Sequence, residues 1–148
     1  MRLCFCGPSG SGKSTCAKNI AKQGRWNIYT GKDYLRLAKN EAEAWSKFMA
    51  QLKENDAHGM NSIIVITEIE LLKKVKEIEQ VCIIRFTANE DVLLKRFIAR
   101  INNHSNPTFA KMIKNQKMKW DQSGIDYVID TTENNEERTM KKILEQNT

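Results

Sequence analysis

The chain is poor in the residues that build metal clusters and disulfide frameworks. It has two histidines, His58 and His104, and four cysteines at positions 4, 6, 16 and 82. None of the cysteines forms a C-x-x-C pair, so a clustered zinc site is not expected. Four reduced thiols, mostly in the core, fit a cytosolic protein better than a secreted one. Long apolar runs are also missing. Segments such as Ile63–Ile66 and Val81–Ile84 stop far short of the roughly 20 residues a membrane-spanning helix needs. The first residues, MRLCFCGPSGSGK, carry no apolar signal core with a small-residue cleavage site, so a cytoplasmic location is expected. Proline occurs twice, and no low-complexity stretch or internal repeat interrupts the sequence. What remains is 148 residues with 41% apolar and 28% charged side chains. This is the size and composition of one globular domain with a true core.

Acid is missing from one long stretch. Between Val92 and Trp120 stand Lys95, Arg96, Arg100, Lys111, Lys114, Lys117 and Lys119, with no Asp or Glu among them. The net charge of the chain is +6. A one-signed stretch of this kind suits a polyanionic partner, either the phosphates of small ligands or a nucleic acid. A solvated lysine face is the plainer alternative.

Short apolar strands alternate with helical segments. Leu3–Cys6, Trp26–Tyr29, Ser62–Thr67, Val81–Phe86 and Tyr127–Ile129 read as strands. The β-branched run SIIVIT suits a strand buried on both faces. Helices are expected over Lys13–Gln23, Asp33–Lys53 (as one or two pieces), Glu68–Lys76, Asn89–Ile101, Phe109–Trp120 and Asn135–Glu145. Strands separated by helices imply crossovers and a five-stranded, mostly parallel sheet covered on both faces, an α/β fold of three layers, α/β/α. Ligands of such sheets bind beyond the carboxyl ends of the strands. Functional residues are therefore expected just after Cys6, Tyr29, Ile66, Phe86 and Ile129.

The first of these positions carries the strongest signal. Gly7-Pro8-Ser9-Gly10-Ser11-Gly12-Lys13-Ser14-Thr15 matches G-x-x-x-x-G-K-[ST] between a strand and a helix, as the motif requires. Glycines let the backbone curl and aim its N–H groups at a phosphate. The helix beginning near Lys13 adds the positive end of its dipole. Lys13 can reach the outer phosphates of ATP, and the Ser14 hydroxyl can ligate Mg²⁺. Gly7, Gly10, Ser11, Gly12, Lys13, Ser14 and Thr15 are the nucleotide-binding candidates, and the fold they imply is that of a P-loop NTPase.

Two further segments resemble nucleoside monophosphate kinases. Thr30-Gly31-Lys32-Asp33-Tyr34-Leu35-Arg36 is similar to the S-T-G-D-x-L-R stretch of adenylate kinases, with Lys32 as an extra residue. The resemblance implies that Thr30 and Arg36 contact the acceptor and its phosphate. Asp33 is then a candidate to orient an acceptor hydroxyl or a metal-bound water. A plain helix start is the structural alternative. Leu93-Leu94-Lys95-Arg96-Phe97-Ile98-Ala99-Arg100 resembles the L-x-x-R-x-x-x-G-R segment that leads into the lid of these kinases, with Ala99 at the usual Gly. By that resemblance Arg96 packs on the donor base and Arg100 reaches the transferred phosphate. Four residues apart on a helix, both guanidiniums share one face.

The resemblance covers most of the chain and has departures. The third strand ends Thr67-Glu68-Ile69-Glu70, without the arginine of the D-G-[FY]-P-R pattern. Glu68 stands either as the acid near Mg²⁺ or as a helix-capping charge. The acceptor-side helical segment, residues 37–60, is reduced, and the lid is short, at residues 102–108. Lysines at 111, 114 and 117 stand where that family uses arginines, and lysine lacks the bidentate fork. The implied activity is transfer of the γ-phosphoryl group of ATP to a small phosphate-bearing acceptor, a nucleoside monophosphate. Metabolite kinase and polynucleotide 5′-kinase remain open within that class. Outside it, a regulatory ATPase or an ATP-dependent nucleic-acid-binding module is the alternative.

Overall fold

The computed structural model describes residues 1–101, 107–133 and 135–147. Five strands form one sheet: β1 (Arg2–Cys6), β2 (Trp26–Thr30), β3 (Asn61–Ile66), β4 (Val81–Thr87) and β5 (Val128–Asp130). Their spatial order is β2-β3-β1-β4-β5, and every neighbouring pair runs parallel. Cys6 pairs with Ile66 on one side and with Arg85 on the other. The residues that follow β1 and β3 therefore emerge side by side at the carboxyl edge.

Alternation along the strands divides the core. Leu3 and Phe5 of β1, with Ile63 and Val65 of β3, face α1 (Lys13–Ala21) through Cys16, Ala17 and Ile20. Helix α6 (Glu136–Gln146) closes the same face with Ile143. Cys4 and Cys6, with Ile64 and Ile66, face the opposite layer. There α2 (Glu41–Ala57) contributes Ala44, Phe48 and Leu52, and α3 (Leu72–Val75) contributes Leu72 and Val75. Trp120 near the end of α5 (Pro107–Asp121) completes that layer. Helix α4 (Glu90–Ile101) packs on α5 through a smaller cluster around Leu93 and Ile113. The three-layer α/β/α arrangement is the one expected from the element pattern.

Several boundaries differ from the periodicity reading. Asp33–Leu37 is a 3-10 turn, and α2 starts only at Glu41. The break is chemical: Ala38 is extended, and the Asn40 side chain caps α2 by accepting the Glu43 N–H at 3.1 Å. The Glu68–Lys76 helix shortens to a 3-10 turn, Ile69–Leu71, followed by α3. Helix α5 begins at Pro107, the first-turn position that proline tolerates best, so Pro107 and Thr108 of the expected lid form its first turn. The remaining lid positions, 102–106, lie outside the described residues. Among the described residues, no helix is long and apolar enough to cross a membrane.

Candidate functional site

The segment after β1 is held in a shape that excludes side chains. Gly7 has φ +146°, and a Cβ there would stand 2.2 Å from the Phe86 carbonyl oxygen of β4. Gly10 has φ +82°, and its Cβ would meet the Leu93 carbonyl oxygen of α4 at 2.6 Å. Glycine is needed at both because backbone, not a movable side chain, occupies the space.

Several carbonyls of this loop have side-chain donors. The Lys13 ammonium donates to the Gly7 and Pro8 carbonyls, each at 2.8 Å. Arg96 donates to the Gly10 carbonyl at 3.1 Å. The Thr131 hydroxyl donates to the Ser11 carbonyl at 2.7 Å. Two N–H groups are tied too: Ser9 donates to the Gln116 side-chain carbonyl of α5 at 2.9 Å, and Ser11 to the Pro8 carbonyl at 3.3 Å. Elements α1, α4, α5 and the end of β5 thus all grip the loop.

Lys13 is 5% exposed. Burial first, and then repulsion from Arg100, push its pKa down from 10.5 to about 7. A negatively charged ligand beside the ammonium opposes both influences by favouring its charged form. A cleft of about 420 Å³ opens over the loop. Gly10, Gly12, Lys13, Ser14 and Thr15 form its floor, and Arg96 and Arg100 enter it from α4. Thr67 stands at the β3 end, and Asn135, Glu136 and Thr139 of the α6 start form the far wall. Gly7 and Ser11 shape the loop without lining the cleft. The guanidinium of Arg96 is bound along its edge to Gly10 and to Thr131. Arg100 lies over the Phe97 ring at 5.7 Å, a cation–π contact.

The acceptor candidates lie elsewhere. Thr30, Asp33 and Arg36 are exposed and do not line this cleft. Arg36 makes a loose pair with Asp33 at 4.0 Å, and its side chain is 85% exposed. Between Thr30 and Arg36 the chain lines a second, small pocket with Gly31 and Tyr34, joined by Trp45, Phe48 and Lys74. Tyr34 packs edge-to-face on Trp45 at 5.1 Å, and the Lys74 ammonium lies 5.0 Å from the Trp45 ring. The aromatic residues of α2 are therefore both core and pocket wall.

The metal-side reading changes most. Thr67, not an acid, is the first residue beyond β3, and its carbonyl accepts the Trp120 indole N–H at 2.8 Å. Glu68 is exposed and faces Lys32 at 3.7 Å, outside the cleft lining. Among the described residues no three His, Cys, Asp or Glu side chains cluster as a metal cage. One hydroxyl, Ser14, lines the cleft, and the expected carboxylate, Glu68, does not, so the donor set is sparse. It fits Mg²⁺, which keeps waters and takes most remaining ligands from substrate phosphates.

The basic stretch is partly neutralised. Lys117 binds Asp121 at 3.0 Å and the Thr87 hydroxyl at 3.2 Å, while Arg85 of β4 binds the same Asp121 at 2.7 Å. Lys111, Lys114 and Lys119 are exposed. Sequence reasoning passed over Thr67, Gln116 and Thr131. For Thr67 and Thr131, position just past a strand was the available signal.

A glycine-shaped loop between a parallel strand and a helix, with a buried lysine beneath an open cleft, defines a P-loop NTPase fold. The chain belongs to the ATPase family associated with various cellular activities (AAA), whose family model matches residues 3–82, more than half of its length. No curated protein matches the sequence. Among solved structures, the chain is similar to the tunicamycin resistance protein of Deinococcus radiodurans, with TM-score 0.69 and 14% identity over 98% of this chain and 94% of that one. It is also similar to shikimate kinase from Acinetobacter baumannii, with TM-score 0.60 and 14% identity over 98% and 91%. The YorR protein of Bacillus subtilis, solved in complex with phosphorylated GDP, has TM-score 0.66 and 18% identity over 99% and 95%.

Proposed function

We propose that this protein is an ATP-dependent phosphotransferase acting on a small phosphate-bearing acceptor, a nucleoside monophosphate. The observation that carries the reading is the convergence of Lys13 and Arg100 on one cleft above the phosphate loop. Two cations placed there, with repulsion between them, suit the charge that spreads over a phosphoryl group in flight. The Acinetobacter protein is a shikimate kinase, and the Bacillus protein holds a phosphorylated nucleotide; both support the same class.

The mechanism is in-line transfer. The loop amides and Lys13 hold the outer phosphates, and Arg100 follows the γ-phosphoryl group as it leaves. Thr30 and Arg36 hold the acceptor, with Asp33 directing its attacking oxygen. Ser14 would hold a Mg²⁺ ion, which would neutralise phosphate charge, and Glu68 would reach it only after release from Lys32. Such a protein works in the cytoplasm.

A nucleic-acid-dependent ATPase is the second reading, favoured by the exposed Lys111, Lys114 and Lys119 on α5. ADP release measured with a panel of nucleoside monophosphates, shikimate-like metabolites and 5′-hydroxyl oligonucleotides separates the two. Release with one small acceptor supports the kinase. Release stimulated only by polynucleotide, without phosphorylated product, overturns it.

A further inference from the structure

A side chain 120 residues away donates a hydrogen bond to a carbonyl of the phosphate loop. We propose that Thr131 is a positioning residue whose hydroxyl turns the Ser11 carbonyl outward and so aims the Gly12 N–H into the phosphate site. This rests on the reading of the cleft as a nucleotide site.

The hydroxyl's direction follows from its partners. Arg96 only donates hydrogen bonds, so at 2.9 Å the Thr131 oxygen must accept from it. The hydroxyl proton is then left for a carbonyl. Ser11 at 2.7 Å is closer than Thr87 at 3.3 Å and receives it. The Thr131 backbone is itself fixed, because its N–H donates to the Thr87 carbonyl at 2.8 Å and its carbonyl accepts from Arg96. Thr131 is 8% exposed and Ser11 fully buried, so water does not readily replace this bond.

A peptide unit is planar, with its C=O and N–H pointing opposite ways. Holding the Ser11 carbonyl outward therefore turns the Gly12 N–H inward. A loop that presents N–H groups to an anion must send its carbonyls the other way, and a buried carbonyl needs a donor there. Arg96 supplies that donor for Gly10 and Thr131 supplies it for Ser11. The edge bonds of Arg96 thus serve the loop as well as any stacking on a donor base.

Calorimetry with ATP and with ADP on the full chain tests this. T131V keeps the shape and removes the hydroxyl; T131S keeps the hydroxyl. T131V is expected to lose roughly 10- to 100-fold in affinity for both nucleotides, and T131S to recover most of it. A folded T131V that binds as tightly as the parent overturns the proposal, as does a T131S that loses as much as T131V. A measurement on the unaltered chain covers the case in which T131V does not fold. The Gly12 amide proton should move downfield when ADP is added, and a Gly12 amide that stays in place overturns the proposal. If the unaltered chain binds neither nucleotide, the reading of the cleft falls together with the inference.

Discussion

Lys13 and Arg100 line the same cleft, and the charge of Arg100 adds to burial in lowering the Lys13 pKa to about 7. The unfolded chain holds this proton until its ordinary pKa of 10.5. Between about 7 and 10.5 the unfolded chain binds more protons, so this group's contribution to stability rises with pH through that window. ATP restores the proton. At about pH 8, where phosphates have lost their second proton, binding should take up a proton from solution. Calorimetry in two buffers of different ionisation enthalpy reads this directly. Arg100→Ala should move the uptake to higher pH. Binding without proton uptake in either protein contradicts the Lys13 assignment.

Lys13→Ala should remove most turnover. Losing one charge contact to the transition state of this kind costs roughly 3–4 kcal/mol, on the order of 100-fold or more in rate. The variant also leaves the Gly7 and Pro8 carbonyls without their donor. A thermal melt beside the rate measurement separates the two effects. Unchanged kinetics in a folded variant remove Lys13 from the mechanism.

Arg96 and Arg100 should separate by step. Arg96 bonds to Gly10 and Thr131, so Arg96→Ala is expected to weaken ATP binding and to lower the melting temperature. Arg100 lines the cleft with Lys13 and, among the described residues, has no hydrogen bond to the phosphate loop, so Arg100→Ala should slow the chemical step more than it weakens ATP binding. Calorimetric affinities and single-turnover rates distinguish them. Equal, negligible effects point to two solvated arginines.

Arg36→Ala should raise the acceptor KM by about 10- to 100-fold, the worth of a charge-assisted hydrogen bond, with ATP affinity nearly unchanged. Arg36→Lys should rescue in part, since an ammonium lacks the planar fork. Steady-state kinetics against each substrate in turn checks both. An unchanged acceptor KM removes Arg36 from that site.

Gly10→Ala should destabilise the chain by at least about 2 kcal/mol, because the residue sits at positive φ with backbone in its way. Denaturant melts provide the number. An alanine variant as stable as the parent means that α4 does not press on the loop at Leu93.

Legibility in the sequence followed the distance between partners. The loop from Gly7 to Thr15 is one contiguous motif, and its setting between β1 and α1 could be read locally. Strand alternation accounts for Cys4 and Cys6 lying on one core face and Leu3 and Phe5 on the other. Thr131 and Gln116 could not be found that way. They meet the loop across separations of 120 and 107 residues, and neither residue type carries a motif. Whether Asp33–Lys53 is one helix or two stayed open because the apolar spacing runs on through Ala38, while the capping bond of Asn40 decides the boundary. Glu68 illustrates the opposite difficulty. Its position after β3 left two readings, a metal-side acid or a helix-capping charge, and here it faces Lys32 while Thr67 stands at the cleft.

Transfer of a phosphoryl group to a small acceptor in the cleft over Lys13 is what the other functional assignments depend on. The most direct measurement follows labelled γ-phosphate from ATP into nucleoside monophosphates, in the unaltered chain and in Lys13→Ala, with polynucleotide binding recorded at low and high salt. The expected result is a labelled nucleoside diphosphate formed by the unaltered chain and lost in the variant. Strong, salt-sensitive polynucleotide binding with no label in any small acceptor would contradict the account.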